Sequence, residues 1–385
     1  MGRKALVLTS VQSLFLYGTL RHLPLLRLVM GNLEHLQISE AVLPDHAVYW
    51  VVGESFPVVV KVPGQSAPGL LVQGLNHTDI ARLDFYEGAY DYVLQDVEVR
   101  VGETLHSTQV YVTGEDRWPI GKPWSLQGWV RDWAPVVLMA ADEMMEDFGL
   151  AEAHDVARRY PQIMQRAASR LRAGKMPTPK SLRQGPDRGK VRVERQRRPY
   201  SNYFALEEMD LTFPQFDGGT SDLVTRAAFV SGDAVTVLPY DPARDRVMVI
   251  EQFRFGPFLR GDLHPWSLEP IAGRIDPGET PEAAARRELD EEAAIRVGDL
   301  LPVARYYPSP GAMTEYLFSY IGIADLPDDA EGLGGVASEA EDIRSHLLSF
   351  AQLMQLVGSG EAENGPLVLS ALWLAGRRDV IRQGA

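Results

Sequence analysis

The chain has 385 residues, enough for two or three domains each with its own core, and its 45% hydrophobic and 23% charged content is that of a globular protein. A formal net charge of −14 argues against a general binder of nucleic acid or of anionic membranes. There is no cysteine, which excludes disulfides, thiolate catalysis and cysteine-based zinc sites and fits a cytoplasmic setting. The apolar start, Ala5 to Leu16, is broken by Thr9, Ser10, Gln12 and Ser13 and no clean small-residue cleavage site follows. It therefore reads as a buried first strand rather than a signal peptide. Up to about Val112, short apolar runs alternate with turns: Ala5 to Leu8, Ser13 to Tyr17, Val48 to Val52, Val58 to Val62, Tyr92 to Val101 and Thr108 to Val112. This pattern predicts a strand-rich α+β domain.

From Trp129 to Arg172, Ala, Met, Leu and Glu dominate, and helices are expected. Between Ala173 and Pro199, glycines and prolines punctuate a basic run that includes Arg183, Arg188, Lys190, Arg192, Arg195, Arg197 and Arg198. It reads as an exposed connector. No aromatics are interleaved for base stacking, so it is not taken as a nucleic-acid site. No stretch is long and apolar enough to span a bilayer.

Beyond Tyr200, Ala234 to Pro239 and Val247 to Glu251 flank a turn at Asp241 to Asp245 and predict a hairpin. Trp266 to Ile271 predicts a strand leading into Gly273. Leu317 to Ile323 and Ser345 to Phe350 predict later strands, and Pro366 to Arg378 a closing helix. Between them Pro281 suits a first helical turn, and Ala283 to Ile295 holds strong helix formers with no Gly or Pro. Glu288, Glu291 and Glu292 stand at i, i+3 and i+4, which puts three carboxylates on one face. Left bare they repel. A hard divalent cation wants several carboxylate oxygens and keeps phosphate as a further ligand, so this helix reads as a metal-diphosphate platform.

Gly273, Glu279, Arg287, Glu288, Leu289, Glu291, Glu292 and Ile295 resemble the Nudix hydrolase signature, G-x5-E-x7-R-E-U-x-E-E-x-G-U, with U aliphatic. Ala294 stands where that pattern has Gly, so a different backbone exit from the helix is expected. The blocks Glu251 to Gly256, Leu268 to Gly273, Ser309 to Glu315, Glu339 to Arg344 and Asn202 to Asp210 look like those of the ADP-ribose pyrophosphatase subgroup. This resemblance implies hydrolysis of the diphosphate bond of ADP-ribose to AMP and ribose 5-phosphate, with Mg²⁺ as cofactor and Mn²⁺ as a substitute. It implies Glu288, Glu292 and the carbonyl oxygen of Ala272 as metal ligands, Glu291 supporting or completing that shell, and Glu339 as the base with Glu341 as an extra ligand, the two loop acids being open to the reverse assignment. Glu279 and Arg287 would pair to orient the loop. Arg254 would contact phosphate, Glu315 ribose hydroxyls, Glu269 the sugar or metal region, and Phe204 would stack on adenine. The subgroup's homodimers exchange N-terminal strands, here expected at Tyr200 to Phe213. Two alternatives stay open: another nucleoside-diphosphate sugar as substrate, or a metabolite sensor without turnover.

Leu16 to Arg21, Gly74 and Leu83 to Tyr90 are similar to the gamma-glutamylcyclotransferase-like family over about residues 13 to 113. The resemblance implies that Tyr17, Gly18, Thr19 and Leu20 form a turn whose N–H groups face a carboxylate pocket. Glu87 would be the acid/base that shuttles a proton as an amine closes into 5-oxoproline, while Asp84 and Tyr90 stabilise the turn. Active cyclotransferase chemistry and a binding or structural role both remain open. The fusion also resembles bacterial proteins associated with tellurite resistance. The expected fold is α+β in two domains: a gamma-glutamylcyclotransferase-like small barrel with helices at 1–125, a helical region and basic linker at 126–199, and a Nudix α/β/α sandwich with a mixed sheet at 200–385.

Overall fold

The apolar runs near the N-terminus solve their edge problem by closing on one another. The computed structural model describes residues 13–88, 92–114, 117–177, 179, 181–183, 185, 188–335 and 341–384, in two units, Met1–Gly174 and Lys175–Ala385. The first unit contains, in order, β1 (Ser13–Leu16), α1 (Leu23–Met30), β2 (Gln37–Val51), β3 (Pro57–Gln73), α2 (His77–Glu87), β4 (Val93–Val101), β5 (Thr104–Val112) and β6 (Ile120–Pro123). The strand order β3-β1-β5-β4-β2, with β2 also paired to β3, makes a five-stranded barrel to which β6 is added along β2. The expected strand at Ala5 to Leu8 lies outside the described residues.

Only the end of β2 and the start of β3 were visible as apolar runs, because Pro44, Pro63 and Pro68 disguise the rest. Proline withdraws a ladder donor and is tolerated at bulges. The register indeed shifts between Pro44 and His46, where Asp45 has φ 56. Gly69 lets the Phe15 ring lie against β3: a Cβ there would fall 2.3 Å from Phe15 Cζ.

Four helices follow: α3 (Leu126–Asp132), α4 (Ala134–Met145), α5 (Ala153–Arg158) and α6 (Tyr160–Lys175). Trp129, Ala140 and Ile163 are fully buried in the same cluster as the barrel residues Leu14 and Val99. Trp129 Nε1 donates to Ser55 O at 2.7 Å. These helices therefore complete the first unit. Their apolar faces need the barrel as a partner, so the unit runs to Gly174 rather than ending near residue 125.

The second unit opens with a three-stranded sheet, β7 (Arg192–Ser201), β8 (Ala205–Thr212) and β9 (Val224–Val230). The basic run is thus partly strand, which corrects its reading as a connector throughout. Acidic partners on β8 make this possible: Arg197 lies 2.7 Å from Glu208 and 2.6 Å from Asp210, and Arg198 3.1 Å from Glu207. Opposite charges on facing strands stabilise the pairing.

The main sheet comprises β10 (Ala234–Asp241), β11 (Arg246–Phe253), β12 (Trp266–Glu269), β13 (Ile271–Arg274), β14 (Leu300–Tyr306), β15 (Leu317–Ile323), β16 (Leu333–Gly334) and β17 (Ile343–Ser349). Its helices are α7 (Phe255–Arg260), α8 (Pro281–Ala293), α9 (Phe350–Ser359), α10 (Gly365–Ala375) and α11 (Arg378–Gln383). The order is β14-β15-β10-β11-β17-β16, with β10 and β15 parallel and the other neighbours antiparallel. The expected single strand at Trp266 to Ile271 breaks at Pro270: β12 pairs with β11 and β13 with β10. Alternation along β10 and β11 sends Val235, Val237, Met248 and Ile250 towards α8, and Leu238, Tyr240, Val247 and Val249 towards α9 and α10. The result is the expected α/β/α layering with a mixed sheet. Among the described residues no helix is long and apolar enough to cross a membrane.

Candidate active sites

α8 starts where its sequence says it should. Thr280 Oγ1 accepts from Ala283 N–H at 3.1 Å, and Pro281 occupies the first turn. It ends at Ala294, whose φ 52 and ψ 32 are left-handed, with its N–H bonded to Asp290 O and Ile295 N–H to Leu289 O. The different exit expected for alanine is therefore not taken. The backbone makes the turn that glycine makes freely, held there by the buried Ile295.

The packing of α8 divides its three acids. Ala284, Ala285 and Leu289 are fully buried, and Glu288 (9% exposed) and Glu292 (3%) share their stripe, while Glu291 is exposed. The three acids share one face, as their spacing requires, with Glu288 and Glu292 buried and Glu291 exposed at its rim. Gly273 makes room for them: a Cβ on it would lie 1.9 Å from Glu288 Cδ. Ala272 N–H donates to Glu292 Oε2 at 3.3 Å. Arg287 ties the region together, as expected for its partner Glu279. Its Nε donates to Glu279 Oε1 (3.0 Å), Nη1 to Glu288 Oε1 (2.7 Å) and Glu291 Oε2 (3.0 Å), and Nη2 to Arg274 O (2.9 Å).

Burial pushes the Glu288 carboxyl up to about 7 in spite of Arg287, and burial with the charge of Glu288 pushes Glu292 up to about 8. The charge of Glu341 raises both, which brings this residue of the late loop into the cluster. Glu339 lies outside the described residues. Among the described residues no three His, Cys, Asp or Glu side chains converge as a ready metal group, and Arg287 supplies the counter-charge to Glu288. Even so, two buried acids one helical turn apart, offering only oxygen, have the donor chemistry of a hard divalent site.

Around this centre the structure joins residues that the sequence treated separately. Arg254 and Glu269 form an ion pair, Arg254 Nη2 to Glu269 Oε2 at 2.7 Å and Nε to Oε1 at 3.0 Å. Phe204 is exposed on the way into β8, edge-on to Tyr203 at 4.9 Å. The Arg274 guanidinium lies 5.6 Å from the Tyr203 ring and 5.8 Å from that of Phe204, and its Nη1 is 3.9 Å from Glu315 Oε1. Burial raises the Glu315 carboxyl. Arg274 was missed because it occupies a position where the motif admits any residue, and Tyr203 because it lies outside the motif. Their only signal was adjacency to Gly273 and Phe204.

In the first unit Tyr17, Gly18, Thr19, Leu20 and Glu87 all line one cavity of about 590 Å³ including its open mouth. Glu87 sits at the end of α2, which begins with a capping box between Asn76 and Asp79. Burial pushes its carboxyl up to about 7. Tyr17, Tyr86, Tyr92 and Tyr111 face it, and each has its hydroxyl pKa raised by burial first, with the Glu87 charge second for Tyr17 and a later contribution for the other three, behind Tyr160 at Tyr86, Tyr17 at Tyr92 and Asp84 at Tyr111. Tyr111 OH donates to Asp84 Oδ1 at 2.6 Å, which anchors Asp84 beside the site; Tyr90 lies outside the described residues. The sequence reading missed Tyr92, Tyr111, Val137 and Tyr160 as lining residues.

An acidic helix laid on a mixed sheet, its buried carboxylates opposite a glycine strand, is the framework of a phosphoanhydride hydrolase. The chain belongs to the NUDIX family: the NUDIX domain matches residues 230–368. The Gamma-glutamyl cyclotransferase, AIG2-like family matches residues 14–130, so two modules are fused in one chain. Over 177 residues the chain is 37% identical to the ADP-ribose pyrophosphatase of Haemophilus influenzae, covering 46% of this chain and 81% of that protein. It is 38% identical over 175 residues to the ADP-ribose pyrophosphatase of Escherichia coli K12, covering 46% and 83%. With the GDP-mannose pyrophosphatase of Escherichia coli HS the identity is 31% over 170 residues, covering 44% and 86%.

Proposed function

We propose that the second unit hydrolyses the diphosphate bond of ADP-ribose to AMP and ribose 5-phosphate, with Mg²⁺ as cofactor and Mn²⁺ able to replace it. The observation that carries this reading is the inward pair Glu288 and Glu292 pressed against the Gly273 strand. Glu288, Glu292, the Ala272 carbonyl and Glu341 would hold the cation. When bound, the cation neutralises phosphate oxygens and lowers the pKa of an attacking water. Arg287 keeps the Glu288 carboxylate oriented and compensates the acids around it. Arg254, steadied by Glu269, offers its remaining N–H groups to phosphate. Glu315 accepts from ribose hydroxyls and Phe204 stacks on adenine beside Arg274. Glu339 takes the proton from water, and Glu291 supports the shell from the rim.

ADP-ribose is preferred over GDP-mannose because identity to the ADP-ribose enzymes is higher, 37% against 31%. Purified protein with Mg²⁺ is expected to release AMP from ADP-ribose, to stop on chelation, and to lose at least about a hundredfold in rate as Glu292→Gln. Undiminished turnover in chelator refutes the reading. No turnover across a panel of nucleoside-diphosphate sugars favours a sensor. The reading includes a homodimer through the β7-β8-β9 sheet, supported by exposed Val193, Tyr200, Phe213, Leu223 and Phe229.

For the first unit we read a gamma-glutamyl cyclotransferase with Glu87 as acid/base. Support comes from a carboxyl held near neutrality within a closed set of tyrosines, the condition for proton transfer in both directions. Formation of 5-oxoproline from a γ-glutamyl amide, lost in Glu87→Gln, is the test.

A further inference from the structure

Helices beyond the matched family segment contribute to the Glu87 cavity. The match ends at residue 130, yet Val137 on α4 and Tyr160 at the first position of α6 line the same space as Glu87 and the Tyr17 turn. Neither is a loose surface side chain. α6 is anchored by Ile163, Met164 and Ala167, all buried in the unit's core, and Ile163 N–H bonds back to Arg159 O at 3.0 Å. The Tyr160 hydroxyl is near enough to Tyr86 to oppose ionisation of that phenol. The lining divides by chemistry. Glu87, Tyr17, Thr19, Tyr86 and Tyr92 form a hydroxyl and carboxyl set, in which Tyr17 bonds to Tyr92 and Thr19 to Tyr86. Phe15, Phe56, Pro57 and Val137 are apolar, and Tyr160 lines the same space from α6.

We propose that Tyr160 is a specificity-determining residue, its ring closing the space left for the departing amine so that the site takes γ-glutamyl amides of slim, unbranched amines. The inference rests on the cyclotransferase reading of this cavity. In that reaction the α-nitrogen of the γ-glutamyl group attacks the γ-carbonyl carbon. The new C–N bond makes 5-oxoproline, the old γ-amide C–N bond breaks, and the proton released by the α-nitrogen passes through Glu87 to the leaving amine. The nitrogen of the leaving amine must therefore lie at the γ-carbon, inside the cavity, and its substituent must fit the space that remains. Tyr160 bounds that space from α6, which its buried residues hold in place.

The test compares γ-glutamyl-methylamide and γ-glutamyl-butylamide with γ-glutamyl-naphthylamide in the full-length protein, as wild type, Tyr160→Ala and Tyr160→Phe. The readout is the kcat/KM ratio of bulky to slim amide, which a uniform loss of folded protein leaves unchanged. Wild type is expected to favour the slim amides. Tyr160→Ala should raise the ratio by about tenfold or more, the scale on which pocket bulk discriminates. Tyr160→Phe should restore it. Turnover by wild type with an unchanged ratio in Tyr160→Ala overturns this proposal and leaves the cyclotransferase reading standing. A Tyr160→Phe variant that behaves like Tyr160→Ala overturns the steric wall in favour of the hydroxyl. No turnover of any amide, with no binding by calorimetry, defeats the reading of the cavity and this inference with it.

Discussion

Adding one methyl group at Gly273 tests the centre of the second unit most directly. The new carbon would lie 1.9 Å from Glu288 Cδ and 2.0 and 2.3 Å from its two carboxylate oxygens. Non-bonded carbon atoms rest at about 3.5–4.0 Å, so the carboxylate must withdraw by roughly 1.5 Å. α8 is unable to yield as a body, because Ala284, Ala285 and Leu289 are fully buried beneath it. The side chain moves instead, and the Arg287 bond to Glu288 is disturbed with it. Displacing a catalytic group by about 1 Å costs on the order of a hundredfold in rate, while overpacking costs about 1–3 kcal/mol of stability. Gly273→Ala is therefore expected to fold, to bind Mn²⁺ more weakly in calorimetry, and to lose about a hundredfold in AMP release from ADP-ribose. Gly358→Ala in α9 is the control: nothing lies within 4 Å of the added carbon, and Ala is the better helix former. Folded Gly273→Ala protein with wild-type Mn²⁺ affinity and turnover would refute the argument that this glycine makes room for a metal-binding carboxylate.

Ala294→Gly should stabilise the second unit by about 0.5 kcal/mol, since relief of left-handed strain exceeds the added unfolded-state entropy. Thermal melts should show a rise of one or two degrees, and a fall would mean that the alanine methyl is held by packing. For Glu87 the folded-state pKa of about 7 lies above the ordinary 4.5. The stability tied to its neutral form is then fully present below 4.5 and lost as pH rises through 7, a difference of roughly 3 kcal/mol. Glu87→Gln should gain stability relative to wild type between pH 5 and pH 8 in denaturant titrations, and parallel pH profiles would contradict the buried carboxyl.

Both modules were legible in short stretches whose meaning is local. The spacing of Glu288 and Glu292 puts them one helical turn apart whatever surrounds them. The Asp241 to Asp245 turn joins β10 and β11 as its flanking runs require, and β15 occupies the predicted Leu317 to Ile323. Less of the barrel could be read, because prolines within β2 and β3 mask strands whose ladders are completed only by distant partners.

The chain's own order of residues determined the chemistry on offer: an acidic helix beside a glycine strand, and a glutamate after a Tyr-Gly-Thr-Leu turn. Tertiary structure decided how those groups are used. It left Glu291 exposed and buried Glu292, because the sheet against α8 buries one stripe only. It drew Arg274, Phe204 and Glu315 together from three separate segments, and set Tyr160 in the wall of the Glu87 cavity. Spacing along a helix follows from backbone geometry, whereas which side is buried, and beside what, follows from packing between elements far apart in the chain.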